Sequence, residues 1–525
     1  MQAARSGTVE RFERQDWLAA AILFAVSLAV RVPFRSRFAY HWDSAQFALA
    51  IEHYNLSQGL PHLPGYFLFV MLGRAVNLLV GDPHASLVWV AVIAGSALPA
   101  LGYLLASALF GRQSGLVAGA ILATSPLCWF HSEVAFTTIV DSANVTATVL
   151  LCWRSMRRGG GWRWVMAMAF MLAVVAGVRP QTGPTLVPVW LYAFSRFTQR
   201  RWQQLAGGLL LFGAFFAGWF VPMVQMSGGL GSYLRLYPAL MRVNAPLTIW
   251  SNGQEAFRVD LAFIVVSCWV GLLAAGFFGA AELLSWLIRG RDRWAAYLRH
   301  REPLRFLAIW VVPMVAFGFA AYTTAPGYVL NYFPAIVIVV AWALSRLVSS
   351  HFLAGNRRLA LAVIIASVTF TNCAVFLLPP GATAWLRAGL PLTASHIREH
   401  DQQLARWLRA IRENYRADDV IICHHGEVFF WGFRHFQYHL PEYENYLLTK
   451  DRALPPPLDK KLWYAKNRRT EFHDKLEING RHTLILVVPP GRTVDAFADV
   501  LDISHAKKWD IPESAPLYTI STSAE

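Results

Sequence analysis

Lysine is missing from the first 394 residues of this 525-residue chain. That stretch carries 29 Arg against 13 Asp+Glu, a net +16, while residues 395–525 hold 18 Lys+Arg against 19 Asp+Glu. Charge is scarce throughout: 15% of residues are charged, where soluble proteins are usually near a quarter. In its place stand 55% hydrophobic residues, with 21 Trp and 34 Phe. That composition excludes a disordered chain. Cysteine is also sparse, at positions 128, 152, 268, 373 and 423. Four of the five sit in apolar runs and none forms a C-x-x-C pair, so neither a disulfide framework nor a cysteine metal site is indicated. They read as small buried side chains. The basic excess lies in the apolar part, so it points to membrane orientation and not to nucleic acid. A polytopic membrane protein remains.

A spanning helix needs roughly 20 apolar residues. Candidates are 17–35, 85–109, 114–130, 139–153, 162–178, 183–196, 205–226, 260–288, 306–323, 328–348 and 359–378, about eleven spans. The fourth and sixth are short. The first is long and lacks a cleavage site, so it is expected to remain as a span. Residues 66–80 are apolar but short, with Arg74 and Asn77 inside. If they lie on the surface and the N-terminus is cytoplasmic, 20 of the 29 Arg fall on the cytoplasmic side. If they span, all but three of those 20 move outside. The first arrangement is preferred. It makes 36–84 a long first external loop, and it puts 131–138, 179–182, 227–259, 324–327 and the tail outside, at the cell membrane. No internal repeat is visible, unlike the paired halves of many transporters.

Residues 395–525 read as a separate small α/β domain after a Pro/Gly stretch at 377–391; residues 1–394 form the membrane domain. An amphipathic helix is expected over 400–415, with Leu404, Trp407, Leu408 and Ile411 on one face. Strands are expected at 419–423, 428–433 and 483–488. The tail shows no Gly-rich phosphate loop and no nucleophile elbow. Its His424–His425 pair lies at a strand end, where adjacent side chains point to opposite faces, and this argues against a shared metal.

Polar groups collect on the external side. Asp43 follows the first span closely, among Tyr40, His41, Trp42 and Ser44. Aromatic residues belong to an interfacial belt. A carboxylate so near lipid is less expected, although it would also serve as a solvated loop residue or as the N-cap of the run SAQFALAIEHY. Pro61-His62-Leu63-Pro64-Gly65-Tyr66 makes a stiff turn that aims His62 and Tyr66. Glu133 and Asp141 flank the external end of the fourth span, Arg179 caps the fifth, and Tyr328 and Asn331 open the tenth. Arg242 lies in an external segment. Polar groups near lipid are costly and often functional. Their convergence on one face predicts an outward-facing polar cavity bordered by lipid.

An external acid after the first span, followed by a His-x-Pro-Gly-Tyr turn opening an interfacial helix, resembles the GT-C superfamily. Within it the chain is similar to the protein O-mannosyltransferase-like membrane glycosyltransferases, whose first loop reads roughly W-D-S then H-P-P-G-Y. Here those residues are Trp42-Asp43-Ser44 and His62-Leu63-Pro64-Gly65-Tyr66, with Leu63 in place of the first proline. SPLCWFHSEVAF (125–136), GVRPQT (177–182) and GYVLNYFP (327–334) extend the resemblance over about residues 15–350.

The resemblance implies that a sugar moves from a polyprenyl-phosphate donor to an acceptor hydroxyl at the external face. By position, Asp43 resembles the catalytic carboxylate and His62 a residue near the donor phosphate. Glu133 or Asp141 corresponds to a second acidic position. Trp42, Tyr66, Arg179, Arg242, Tyr328 and Asn331 would bind substrate. A carboxylate can take the acceptor proton as the new bond forms, and a phosphate leaving group needs cationic or N–H donors more than an acid. The chemistry therefore asks for no cofactor and no metal, and inverts the anomeric centre. The partners implied are the lipid-linked donor, the bilayer and an acceptor that is protein, lipid or glycan, with no nucleic acid. A transporter or flippase for a lipid-linked solute would place acids near mid-membrane. A non-catalytic polytopic scaffold would leave the Asp43 and His62 arrangement without purpose.

Overall fold

The computed structural model describes every residue except 1–11, 290–297, 299, 322, 350–355, 427–429, 451–455, 479, 489–492, 510–516 and 522–525. It is mostly helical, ending in a small sheet domain. Helix α1 (Arg14–Arg31) leads to a loop carrying α2 (Trp42–Glu52) and α3 (Phe67–Val80). There follow α4 (Pro83–Phe110), α5 (Arg112–Thr124), α6 (Pro126–Glu133), α7 (Thr137–Arg157), α8 (Trp162–Val178), α9 (Thr182–Ser195) and α10 (Arg201–Met226). Next come α11 (Leu230–Asn244), α12 (Ile249–Leu272), α13 (Ala274–Arg289), α14 (Arg301–Ala321), α15 (Phe333–Ser349), α16 (Arg357–Leu377) and α17 (Pro380–Arg387). Five described helices are long and apolar enough to cross a membrane alone, and two bent pairs, α5–α6 at 50° and α12–α13 at 102°, raise this to seven.

Local chemistry sets the boundaries. Asp82 caps α4, its Oδ1 accepting from the Ala85 N–H at 2.7 Å, with Pro83 in the first turn and Gly111 at φ 93° beyond the end. Helix α3 is 14 residues, about 21 Å at 1.5 Å per residue, short of a hydrocarbon core of roughly 30 Å. It packs along α4 and α8 and leaves Leu78 and Leu79 exposed. Helix α7 runs four residues past the end expected from hydropathy. Arg154 and Arg157 interrupt the apolar pattern, but cations in a last helical turn suit the helix dipole.

The bundle has two chemically different ends. At one, Asp16 accepts from Arg112 Nε at 2.8 Å and from the Tyr103 hydroxyl at 3.0 Å. Arg154 covers the Phe12 ring there, and Glu302 meets Arg157 and Arg196 at 3.5 and 3.7 Å. Arg112, Arg154, Arg157 and Arg196, all expected on the cytoplasmic side, thus share one end. Arg5, Arg11, Arg291, Arg293 and Arg299 lie outside the described residues. At the other end gather the first loop, the α6–α7, α8–α9 and α14–α15 connections, and the tail.

The expected single span 260–288 is corrected. Helix α12 touches that second end along its whole length: Trp250 donates to the Ala320 carbonyl, Asp260 accepts from Thr323 N–H, and Trp269 donates to the Leu386 carbonyl. The stretch is no single straight helix: α12 is kinked at Gly253 and a 102° bend at Leu273 separates it from α13. Apolar composition cannot separate one continuous helix from two that meet at a bend.

In the tail, α18 (Ala394–Asn414) buries Leu404, Trp407, Leu408 and Ile411 as expected. They pack on Val420, Ile422, Ile485 and Val487 of the sheet. The strands are β1 (Val420–His424), β2 (Glu444–Leu447), β3 (Leu462–Lys466), β4 (Arg469–His473), β5 (Thr483–Val487), β6 (Lys507–Trp509) and β7 (Leu517–Ser521), in the order β4-β3-β2-β1-β5-β7-β6. β2, β1 and β5 are parallel at the centre, and the flanking pairs are antiparallel. Alternate residues Ile421, Cys423, Leu484 and Leu486 fill the second face with Phe497, the period of two expected of strands. The strand expected at 428–433 is not found. Residues 428 and 429 lie outside the described residues, 430–432 form a turn, and Phe433 opens α19 (Phe433–His439).

Candidate active site

Asp43 sits in the first turn of α2, and the cap of that helix is His41. The imidazole Nδ1 of His41 accepts the Asp43 backbone N–H at 3.1 Å. Accepting there places the ring proton on Nε2. Burial holds His41 below the ordinary imidazole range, and the Asp43 charge opposes this. With the backbone serving the cap, the Asp43 carboxylate is left for other work. Its Oδ2 lies 3.6 Å from His41 Nδ1 and its Oδ1 lies 3.6 Å from His62 Nδ1. The Asp43 side chain is 35% exposed.

His62 is held from α2 as well. Its Nδ1 lies 2.6 Å from Gln46 Oε1, three residues beyond Asp43 on the same helical face. The ring packs against Tyr66 at 5.0 Å and Phe47 at 5.7 Å. Tyr66 is buried and occupies the left-handed region at φ 44° at the start of α3. The Tyr54 hydroxyl donates to the Gly65 carbonyl at 2.7 Å, which fastens the turn from inside. Since Nδ1 faces Gln46 and Asp43, Nε2 is the His62 nitrogen left for a ligand.

A second group surrounds Asp141. Thr182 Oγ1 donates to Asp141 Oδ2 at 2.8 Å, and Arg179 acts on the same carboxylate by charge. The Arg179 guanidinium lies over the Tyr328 ring at 4.8 Å. Ser142 Oγ donates to the Leu330 carbonyl at 2.6 Å, which ties the turn Pro326–Asn331 to α7. Asn331 contributes its carbonyl to Trp310 Nε1 at 3.1 Å. Phe136 links the two groups, with its ring 5.4 Å from His41 and 6.1 Å from His131, a residue on which the Arg179 charge acts. Ser44 Oγ, donating to the Ala135 carbonyl at 3.2 Å, holds α2 on the same connection.

Three expected residues are placed differently. Glu133 is fully buried between α1 and α6, where its carboxylate meets the charges of Arg31 and Arg35 and its carbonyl accepts from Ser36 N–H at 2.9 Å. Trp42 turns away from Asp43 into a cluster with Phe433, Leu447 and Trp463 of the tail. Adjacent residues in a helix diverge by about 100°, so one residue facing the tail sends its neighbour elsewhere. Arg242 is exposed on α11, off the buried stripe of Tyr233, Leu236 and Ala239. His41, Gln46, Phe136 and Thr182 were not anticipated. Histidine is not among the usual capping residues, so nothing in the sequence marked His41. Gln46 was readable from its spacing to Asp43. Among the described residues, no group of three His, Cys, Asp or Glu is arranged to hold a metal ion.

Among solved structures, ArnT from Cupriavidus metallidurans in the apo state is similar over 97% of both chains, with a TM-score of 0.53 and 13% identity. The same protein bound to undecaprenyl phosphate gives 0.52 and 12%, again over 97% of both chains. The Archaeoglobus fulgidus oligosaccharyltransferase tethered with an acceptor peptide matches 85% of this chain and 64% of its own, at 0.46 and 13%. At such identities the likeness to ArnT is one of fold, and it defines the class: a polytopic membrane protein with the GT-C glycosyltransferase fold. Within that class, residues 61–225 match the model of the dolichyl-phosphate-mannose-protein mannosyltransferase family. The matched segment contains His62, Tyr66, Glu133, Asp141 and Arg179; Trp42, Asp43, Arg242, Tyr328 and Asn331 fall outside it. A search of curated proteins finds no match.

Proposed function

We propose that this protein is a membrane glycosyltransferase that moves a sugar from a polyprenyl-phosphate donor to an acceptor hydroxyl at the extracytoplasmic face. The observation that carries the reading is Asp43: a partly exposed carboxylate, relieved of capping duty by His41 and standing 3.6 Å from His62 on a turn that opens an apolar helix. In the reaction, Asp43 takes the proton of the acceptor hydroxyl. The oxygen attacks the anomeric carbon opposite the phosphate, the sugar–phosphate bond breaks, and the polyprenyl phosphate leaves with inversion. A phosphate monoester is a weak base, so its departure asks for charge stabilisation by cationic or N–H donors and not for an acid or a divalent metal. With Nδ1–H given to Gln46 Oε1, His62 offers an Nε2–H donor in its imidazolium form, and Arg179, beside Asp141, is the second cation assigned to the phosphate. Asp141, facing Arg179 and Thr182, fits the second acidic position better than the walled-in Glu133.

The match of residues 61–225 to the mannosyltransferase family model and the capture of undecaprenyl phosphate by ArnT, which shares the fold, support a polyprenyl-phosphate donor. The clustering of Arg112, Arg154, Arg157 and Arg196 at one end of the bundle supports a cytoplasmic N-terminus in the cell membrane, with residues 395–525 as an outer domain on the membrane domain 1–394. A reconstituted assay with a panel of polyprenyl-phosphate sugars tests the reading. Transfer from at least one by the wild type is expected, and failure with every one of them would falsify it.

A further inference from the structure

The tail touches the first loop chiefly through its backbone. Arg37 and Phe38 N–H donate to the two carboxylate oxygens of Asp401, at 2.7 and 3.2 Å. Ala39 N–H donates to His439 Nε2 at 3.2 Å, and Phe38 packs on the same imidazole at 5.0 Å. Arg434, fully buried, donates through Nη2 to the Gln58 carbonyl at 2.7 Å. Its Nη1 is fixed by Gln437 Oε1 and Thr470 Oγ1, and its guanidinium lies 5.7 Å from the Trp42 ring centroid. The Tyr438 hydroxyl accepts from His84 N–H at 3.0 Å where the loop ends, and Arg468 pairs with Glu52.

These contacts bracket the reactive residues. Asp401 and His439 hold 37–39, four to six residues before Asp43. Arg434 packs beside Trp42, the immediate neighbour of Asp43, and holds residue 58, four residues before His62. Asp401, His439 and Arg434 each bond to main chain, so they set where the loop runs and not which side chains it carries. We infer that the C-terminal domain is the jig of the active site: Asp401, His439 and Arg434 are positioning residues that fix Asp43 and His62 relative to each other. This rests on the proposed transferase reading. None of the three touches substrate; they act through the loop. A misplacement on the order of 1 Å costs a reaction about a hundredfold, so the loss should appear in turnover.

The test pairs kinetics with hydrogen exchange on the full-length protein in detergent or nanodiscs. Asp401→Ala should accelerate exchange of the 37–39 amides while β1 and β5 stay protected, and should lower kcat about tenfold to a hundredfold with the donor KM little changed. Asp401→Asn keeps one acceptor oxygen and His439→Gln restores an acceptor lost in His439→Ala, so both should recover part of the rate. Glu444→Gln removes a carboxylate that pairs with Lys466 and Arg481 inside the tail, away from the loop, and should leave kcat alone. Faster exchange with unchanged kcat overturns the inference. So does a kcat loss in Glu444→Gln equal to that in Asp401→Ala, since it would indicate general loosening. If the wild type transfers no sugar, the reaction reading falls, and unaltered exchange at 37–39 in Asp401→Ala would separately refute the clamp.

Discussion

Asp43→Asn changes one atom, and the structure sets what that atom does. The start of α2 does not depend on the carboxylate, because the cap bond runs from the Asp43 backbone to His41. Asparagine keeps the shape and one acceptor oxygen. What disappears is the carboxylate's charge and basicity. With the charge goes the 3.6 Å pairing with His62, from a side chain that is 35% exposed. Pairs of that exposure contribute about 0–1 kcal/mol after solvent screening. His41, 3.6 Å away, adds no ion pair, since its Nδ1 accepts the Asp43 N–H and burial holds the ring below its usual range. Stability should therefore fall by less than about 1 kcal/mol. Loss of a general base costs about a hundredfold to ten-thousandfold in rate, or roughly 3–6 kcal/mol of barrier at about 1.4 kcal/mol per factor of ten. The assay is single-turnover sugar transfer in liposomes, with donor affinity measured separately by equilibrium binding. The expected pattern is donor affinity within about threefold of wild type, an unfolding midpoint within about 2 °C, and transfer slowed by at least about a hundredfold. Turnover above about a tenth of wild type would refute the assignment of Asp43 as base.

Other consequences follow from the same geometry. Arg179→Ala should weaken donor binding, and an unchanged donor Kd would exclude a phosphate role for that residue. Glu133→Ala removes a buried carboxyl from beside Arg31, whose guanidinium donates to the Ser27 and Ala123 carbonyls, and should cost about 0.5–3 kcal/mol in thermal or denaturant unfolding, with kcat per folded molecule preserved. A kcat loss in a stable Glu133→Gln protein would instead make Glu133 the second reacting acid. His424 is buried in β1, and burial depresses its imidazole to about 3. The native tail therefore refuses a proton that the unfolded chain binds below about 6.5. Its stabilisation is complete above that value and is lost as pH falls toward about 3, at roughly 1.4 kcal/mol per unit. The tail's unfolding transition should drop on acidification from pH 7 to 5, and His424→Phe should flatten that slope; a slope identical to wild type would contradict it.

Hydropathy located the helices because lipid demands internally satisfied backbone and apolar surface, and both leave long signatures in sequence. It ended α7 too early, since Arg154 and Arg157 break the apolar run but not the helix. It fused α12 and α13, since the bend at Leu273 involves no proline. In the tail, β1, β5 and α18 were legible from period alone. Residues 428–433 were not, because Phe430 and Trp431 answer to distant partners: Phe430 packs on Tyr40 and His41, and Trp431 stacks on His400. Trp42 was misread for the same reason; its partner Phe433 lies far along the chain. Asp43 and His62 stood out because polar residues beside lipid are rare. Of the neighbours that orient them, Gln46 was readable from its spacing, but His41 was not, because histidine carries no capping signal.

Asp43 stands between two histidines in different surroundings, and the proposed reaction gives that difference a direction. His62 belongs to the turn that opens α3, an apolar helix whose far end leaves Leu78 and Leu79 exposed. His41 lies between Phe136 and Phe430, with rings 5.4 Å away on each side, and Phe430 comes from the polar tail. A polyprenyl phosphate must bring its phosphate from the lipid side, and His62 is the cation candidate there. A water-borne acceptor would bring its hydroxyl past the tail, and a lipid acceptor from the same side as the donor. In-line displacement requires nucleophile and leaving group on opposite sides of the anomeric carbon, so the proposed reaction requires Asp43 and His62 to be held at a fixed separation. On that reading the tail, which holds the loop on both sides of Asp43 and before His62, serves the chemistry although it supplies no reacting group.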